Sequence, residues 1–486
     1  FNDRLNALKE LWEIIPEFVK TNIFNWIISQ AFYIYYQGLA AWTEKEQKSF
    51  FKEVQTFYNN RKEYFLWTDN NGQSFIFYLA KQIEKNNFEK FLDACNDLYN
   101  ISQIDKEPAD LYIATTYYQI YKSIIFAIKN KKPARLYIDY GYQQIPKEFA
   151  EKIKNTGIFK DVILFDVAQQ IPELIKKINK NPEDAKYIIP SYLYERYMEI
   201  FRNANKNDTV YCFLTHQPYW YFIERYFNSI IKVEDAYDTF AAEDMGLIGA
   251  TGIWCQIMNF IGNGYPPIDF SSHKISKIIV SVMPENQPEE LSRKIEVIDM
   301  KTFGVDIKEK LIPIFQELFD LDISLFNENT FLILTQPLAK MGHCSDEEQK
   351  TIYKNIAKKY GKGKTIIIKP HPADILDYSD LAFPIISKNA PIEVYAISGI
   401  YVNTAVTFAS RSIKTINFAK NKIEIYPYKT INAEYKKMLK ELLDYDKIKT
   451  DKVVKANNIS AKQKFIRKIL PKSLRKKIKN KIKKII

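Results

Sequence analysis

The sequence predicts an α/β protein: two Rossmann-like units behind a helical region, with a basic amphipathic helix at the end. Three observations carry this. From Asp110 on, short β-branched runs alternate with helical patterns, which implies parallel sheets. Before that point, apolar residues recur at three- and four-residue steps. From Lys452 onward the chain carries fourteen Lys and Arg and no acid. A chain of 486 residues is also too long for one hydrophobic core. The expected organisation is a helical accessory region over 1–107, a first α/β unit over 108–325, a second over 326–445 and a tail over 446–486.

The helical region is read from Leu5, Leu8, Leu11 and Trp12, and again from Phe50, Phe51, Val54 and Phe57. Thr43-Glu-Lys-Glu46 has the spacing of a capping box opening the second helix. In the first unit, strands are expected at Leu111–Thr115, Arg135–Asp139, Val162–Phe165, Thr209–Leu214, Ile230–Val233 and Lys277–Val282, with a helix at Ile171–Lys180. In the second, they are expected at Phe331–Thr335, Thr365–Lys369, Phe383–Ile386, Gly399–Val402 and Thr415–Asn417, with a helix at Asp346–Tyr360. The crossover is placed near Phe303–Glu328. Neither GxGxxG nor a Walker A loop occurs, which argues against dehydrogenase and P-loop functions.

Two strand ends stand out chemically. Thr365-Ile-Ile-Ile-Lys369-Pro370-His371-Pro372 is a buried-strand pattern stopped abruptly by prolines, which cannot continue a ladder. In open α/β sheets ligands sit outside the carboxyl ends of strands, so His371 is a candidate. Ile230-Ile-Lys-Val gives way likewise to Glu234-Asp235. A carboxylate there, partly shielded from water, suits a general base.

Together these two motifs resemble the acidic and His-Pro pair of bacterial sialyltransferases, most closely glycosyltransferase family 52 and the related polysialyltransferases. Ala236 stands where that family has glycine. Phe331–Pro337, with Thr335 and Gln336, resembles the family's first strand and loop of the nucleotide half. Ala390-Pro-Ile-Glu393 resembles its Pro-x-Glu segment, which implies Glu393 near the donor ribose. Val402–Thr407 stands where the family holds the donor phosphate, implying Asn403, Thr404 and Thr407. Lys369 and Pro372 flank His371 on the same donor side. Leu111–Gln119 looks like the opening of the acceptor half, which implies Thr115, Thr116, Gln119 and Glu234 there. The resemblance spans roughly residues 108–440.

It implies a GT-B architecture, two Rossmann-like domains facing across a cleft. It also implies inverting transfer of sialic acid from CMP-sialic acid to a sugar hydroxyl of a glycolipid or oligosaccharide such as lipooligosaccharide. Asp235 would act as base and His371 on the leaving CMP. Neither metal nor cofactor is called for beyond the donor substrate. Another nucleotide sugar, such as a glucosyl donor, and a catalytically degenerate glycan-binding scaffold are the alternatives. Asp320-Leu-Asp322 and Asp444-Tyr-Asp446 look like a metal-binding DxD but sit in helical or loop contexts.

The net charge of +12 is smaller than the charge of the tail alone, so the remainder is slightly acidic. Within the tail, Ile466, Leu470, Leu474, Ile478, Ile482 and Ile486 recur every four residues, one stripe of a helix interrupted near Pro471. A cationic helix with an isoleucine face reads as an interfacial membrane anchor. Nucleic acid is a poorer partner, because Phe465 is the tail's one aromatic. Four scattered cysteines without CxxC spacing suit a reducing cytoplasm. The expected location is therefore cytoplasmic, peripheral on the inner face of the inner membrane. Phe24–Tyr36 is the longest apolar run and too short to span a bilayer. The chain opens on Phe1 without a methionine, which reads as a start lying upstream.

Overall fold

The computed structural model describes residues 2–17, parts of 20–35, 42–64, parts of 79–95, 107–141, 143–167, 170–180, 192–193, 196–214, 217–235, 273–284, 289–410, 412–426 and 433–445. The chain divides into two compact units. The first runs from the start to Asp320 and takes in Asn389–Ser398; the second is Leu321–Lys388 with Gly399 onward.

The leading helical part of the first unit has its own core. Helix Glu44–Asn59 starts as its sequence dictates: the Thr43 side chain accepts from the Glu46 N–H at 3.4 Å, and Glu46 accepts from the Thr43 N–H at 2.7 Å. Its apolar face, Phe50, Phe51, Val54 and Phe57, is buried with Trp12 of helix Asn2–Ile14 and with Phe24 and Phe91. Trp12 meets Phe24 edge-on at 5.1 Å, a favoured aromatic geometry.

The α/β part of the first unit is a seven-stranded sheet. Its strands are β1 (Asp110–Ala114), β2 (Ala134–Asp139), β3 (Asp161–Phe165), β4 (Thr209–Cys212), β5 (Ser229–Val233), β6 (Ile275–Val280) and β7 (Ile295–Val297). They lie in the order β3-β2-β1-β4-β5-β6-β7, all parallel. Leu111, Tyr112, Ile113 and Ala114 are fully buried, as expected of a parallel strand covered on both faces. Strand order reverses between β1 and β4. The carboxyl ends around that switch point are where such sheets bind ligands.

The second unit is a four-stranded parallel sheet of β8 (Thr330–Leu334), β9 (Thr365–Lys369), β10 (Val402–Thr407) and β11 (Ala419–Glu424), ordered β11-β10-β8-β9. Its switch point falls between β8 and β10. Helix Asp346–Tyr360 connects β8 to β9 and opens on a second capping box, Ser345 with Glu348.

Several expected elements are corrected. Phe383–Ile386 makes a single parallel bridge, Ile385 to Ile368, because Pro384 has no N–H to donate to a ladder. Of the strand expected at Gly399–Val402, Gly399 lies in a turn at φ +77° and the strand begins only at Val402. Thr415 ends a short helix and Asn417 is not in a strand; the edge strand β11 follows, its exposed Lys420, Asn421 and Lys422 giving no apolar signal. The expected unit border at 325/326 lies at 320/321. Asn389–Ser398, assigned from sequence to the second unit, packs in the first, where helix Ile392–Ile397 meets helix Lys308–Phe319. The tail helix, Ala236 and Asp446 lie outside the described residues.

Candidate active site

In the first unit the candidate residues gather around Asp235, two residues past β5. The Glu234 N–H still donates to Ile279 O of β6 at 2.8 Å, so the ladder carries the acidic pair to its last rung. The Glu234 side chain is buried and accepts from the Ser281 N–H (2.7 Å) and hydroxyl (2.5 Å). Glu234 therefore ties the carboxyl end of β5 to the residue that follows β6.

Asp235 Oδ1 accepts from Gln119 Nε2 at 2.5 Å. Gln119 Oε1 in turn accepts from the Thr115 N–H (2.6 Å) and hydroxyl (3.1 Å). Thr116 caps helix Tyr117–Asn130, accepting from the Gln119 N–H at 3.2 Å. The structure thus brings Thr115, Thr116, Gln119, Glu234 and Asp235 together. It spends the first four on one another and on the loops.

Sequence reasoning missed Lys122, one helical turn after Gln119. Its ammonium is buried and donates to Glu234 O (2.7 Å) and Asp235 O (3.4 Å), 4.4 Å above the Tyr118 ring. Burial pulls the Lys122 amine down to about 8, opposed by the carboxylates of Glu234, Asp235 and Glu393. A lysine inside the apolar stretch Ile120–Ala127 was the available signal. Glu393 is buried on helix Ile392–Ile397 of this same unit, in the field of Lys122, Tyr118 and Tyr121.

In the second unit the candidate residues gather around His371, two residues past β9. The His371 N–H donates to the Thr335 hydroxyl at 2.9 Å, and Nδ1 accepts from the Ala373 N–H at 3.1 Å. With Nδ1 used as an acceptor, the neutral ring carries its proton on Nε2. Burial, helped by Lys369 and Lys340, holds the imidazole down to about 4, so the ring is neutral at physiological pH. It is a hydrogen-bond donor rather than a charged acid.

Beneath it lies Asp374, which sequence reasoning also missed. This buried carboxylate accepts from Thr335 (3.1 Å), Gln349 (2.9 Å) and Tyr378 (2.5 Å) on one oxygen and from the Leu376 N–H (3.2 Å) on the other. Its own N–H returns to His371 O at 2.9 Å. The carboxylate takes the Thr335 proton, which leaves that hydroxyl's oxygen to receive His371. Thr335 is a support of His371 and not an open ligand.

The remaining donor-side residues divide. Gln336 lies beside Thr335, its main chain held by the Tyr353 hydroxyl at 2.5 Å and 3.0 Å. Lys369 is buried, donating to Pro370 O and Lys388 O at 3.0 Å each, and Pro372 follows His371. Thr407 reaches the carboxyl end of β10 but donates to Leu334 O and accepts from the Ser410 N–H. Asn403 and Thr404 sit at the other end of the sheet. Thr404 is level with Phe331 and Thr407 with Leu334, three strand residues or about 10 Å further along. There both bind Lys364, at 2.6 and 2.9 Å. The structure does not bring Asn403 and Thr404 to His371. The hydroxyls it does place past the carboxyl end of β10 are Ser410 and Ser412, 2.7 Å apart.

Asp320 is the left-handed cap of helix Lys308–Phe319 and binds Lys152, while Asp322 caps the short helix after it. Among the described residues no group of three or more His, Cys, Asp or Glu is arranged to hold a metal.

Comparison with known proteins adds three findings. Residues 191–432 match the model of Glycosyltransferase family 52. A stretch of 163 residues is 30% identical to an uncharacterized protein of Haemophilus influenzae, covering 32% of this chain and 52% of that one. The chain thus spans about half the length of the curated relative it matches. The crystal structure of an alpha/beta-galactoside alpha-2,3-sialyltransferase from Photobacterium phosphoreum aligns with a TM-score of 0.39 and 12% identity, over 70% of this chain and 96% of that one. The stretch that matches glycosyltransferase family 52, residues 191–432, holds Asp235 and His371 alike.

Proposed function

We propose that the protein is an inverting, metal-independent sialyltransferase that moves sialic acid from CMP-sialic acid to a sugar hydroxyl of a surface glycolipid or polysaccharide. The observation that carries this reading is the fixed tautomer of His371, a neutral Nε2–H donor at a strand end, in a chain that also ends a strand on Asp235. The acceptor oxygen attacks the anomeric carbon from the face opposite CMP. As that bond forms, the bond from the anomeric carbon to the phosphate oxygen breaks, and CMP leaves with the electron pair. Asp235 takes the acceptor's proton, a role worth about 10²–10⁴-fold. The His371 Nε2–H donates to the phosphate and stabilises its growing charge. Ser410 and Ser412 supply further neutral donors there, and Glu393 is a candidate for donor ribose contacts.

Among the described residues no helix is long and apolar enough to cross a membrane. The basic tail is the proposed link to an anionic surface on the cytoplasmic face, where the acceptor lipid is met in two dimensions. Incubation with a panel of CMP- and UDP-sugars and a galactose-terminated acceptor tests the donor. Release of CMP coupled to sialylated product is expected. Turnover of UDP-glucose instead would assign a glucosyl donor, and donor binding without any release would make this a glycan-binding scaffold.

A further inference from the structure

Gln119 lies fully buried on helix Tyr117–Asn130, yet it touches Asp235 across 116 residues of chain. The orientation of its amide is settled by its other partner. The Thr115 main-chain N–H can only donate, so the oxygen of Gln119 must face it, 2.6 Å away. The NH₂ group is then turned onto Asp235 Oδ1 at 2.5 Å. The contact fixes the rotation of the carboxylate. It also occupies one oxygen and leaves Oδ2 without a hydrogen bond from any described residue. The main chain at this point is clamped as well, because Lys122 grips the carbonyls of Glu234 and Asp235 from the same helix.

We propose that Gln119 is a positioning residue for the transfer: it selects which oxygen of Asp235 meets the acceptor and holds that carboxylate ready to take a proton. This rests on Asp235 being the base. It departs from an acceptor contact by Gln119, since the amide is fully buried, with its oxygen on Thr115 and its nitrogen on Asp235. The other charged or titratable groups facing Asp235 are Lys122 and Tyr118 from the same helix, Tyr219 from helix Pro218–Tyr226, and its neighbour Glu234; Glu393 from helix Ile392–Ile397 faces Lys122 and Tyr118.

The test compares wild type, Asp235→Asn, Gln119→Leu and Gln119→Glu with CMP-sialic acid and a soluble acceptor, after thermal melts establish folding. Gln119→Leu should lower kcat about 10²-fold, the cost of a misplaced group, with the acceptor KM and CMP affinity unchanged. In Gln119→Glu two carboxylates face each other and share a proton, so the acid limb of the rate profile should move up by about one pH unit or more. A raised acceptor KM with unchanged kcat in Gln119→Leu would make Gln119 an acceptor contact and overturn the proposal. A Gln119→Glu profile that overlays wild type would overturn it too, and this near-isosteric variant decides the matter if Gln119→Leu does not fold. An inactive Asp235→Asn beside normal Gln119 variants would sink the positioning role and leave the base standing. A fully active Asp235→Asn would remove the base, and the positioning role with it.

Discussion

At the scale of single residues, the roles proposed for Asp235 and His371 make opposite demands on charge. As the proposed base Asp235 accepts a proton, so Asp235→Asn should reduce transfer by about 10²–10⁴-fold while CMP still binds, as isothermal titration would show. In its proposed role His371 only donates, as a neutral ring. His371→Gln, which keeps a neutral donor, should therefore retain more CMP affinity than His371→Ala; equal losses would remove the hydrogen bond from the account. The same histidine makes stability depend on pH. Its folded value near 4 lies below the ordinary 6.5, so between those values the unfolded chain holds more protons, and stability falls as pH falls through that window. Asp139, buried at the end of β2 and accepting from the Gly141 and Val167 N–H groups, runs the other way. Burial lifts it to about 6, so it favours the folded state below about 4 and loses that benefit as pH rises through 6. Asp139→Asn keeps the accepting oxygen and removes the charge. It should add about 3 kcal/mol at pH 7 and little at pH 4, from the worth of a pKa shift, measured by urea unfolding at both.

At the scale of elements, a strand end becomes a site only when a neighbouring loop holds it. The loop after β9 is tied through Asp374 to Thr335 after β8 and to Gln349 and Tyr378. Tyr378→Phe removes one of four donors to a buried carboxylate. It should cost about 1–3 kcal/mol of stability and lower kcat and CMP affinity together, whereas unchanged kinetics would make the network purely structural. The first α/β sheet solves the same problem with a helix, since Gln119 and Lys122 both reach the end of β5 from helix Tyr117–Asn130. In each case the strand pattern is local, and the group that aims the reactive side chain comes from another part of the chain.

At the scale of the whole molecule, charge is distributed unevenly: fourteen basic residues and no acid follow Lys452, within a net +12. Deleting Lys462–Ile486 should release the protein from anionic vesicles and slow transfer to a membrane-embedded acceptor. The effect should be largest at low salt, where screening is weakest. Turnover on a soluble acceptor should survive, because every proposed site residue precedes Tyr428. Loss of that activity would make the tail part of the fold. Chelation with EDTA should leave transfer intact; loss with rescue by magnesium or manganese would reinstate a metal role.

The sequence by itself determined what depends on short-range pattern. Apolar runs such as Ile366–Ile368 and Leu111–Ala114 are strands because their burial and β-branching leave little alternative. Helix Asp346–Tyr360 and the Thr43 cap follow from periodicity and from a side chain that satisfies an otherwise orphaned N–H. Asp235 and His371 were legible because each ends such a run. Tertiary structure alone decided which end of β10 matters. Asn403, Thr404 and Thr407 share one strand, and only its parallel register against β8 sends the first two toward Lys364 and the third toward the His371 end. It also decided that Glu393 packs with the first unit, and that Gln119 and Lys122 serve Asp235. Those contacts join residues more than a hundred positions apart, and a pattern read over a few turns of chain carries no information about them.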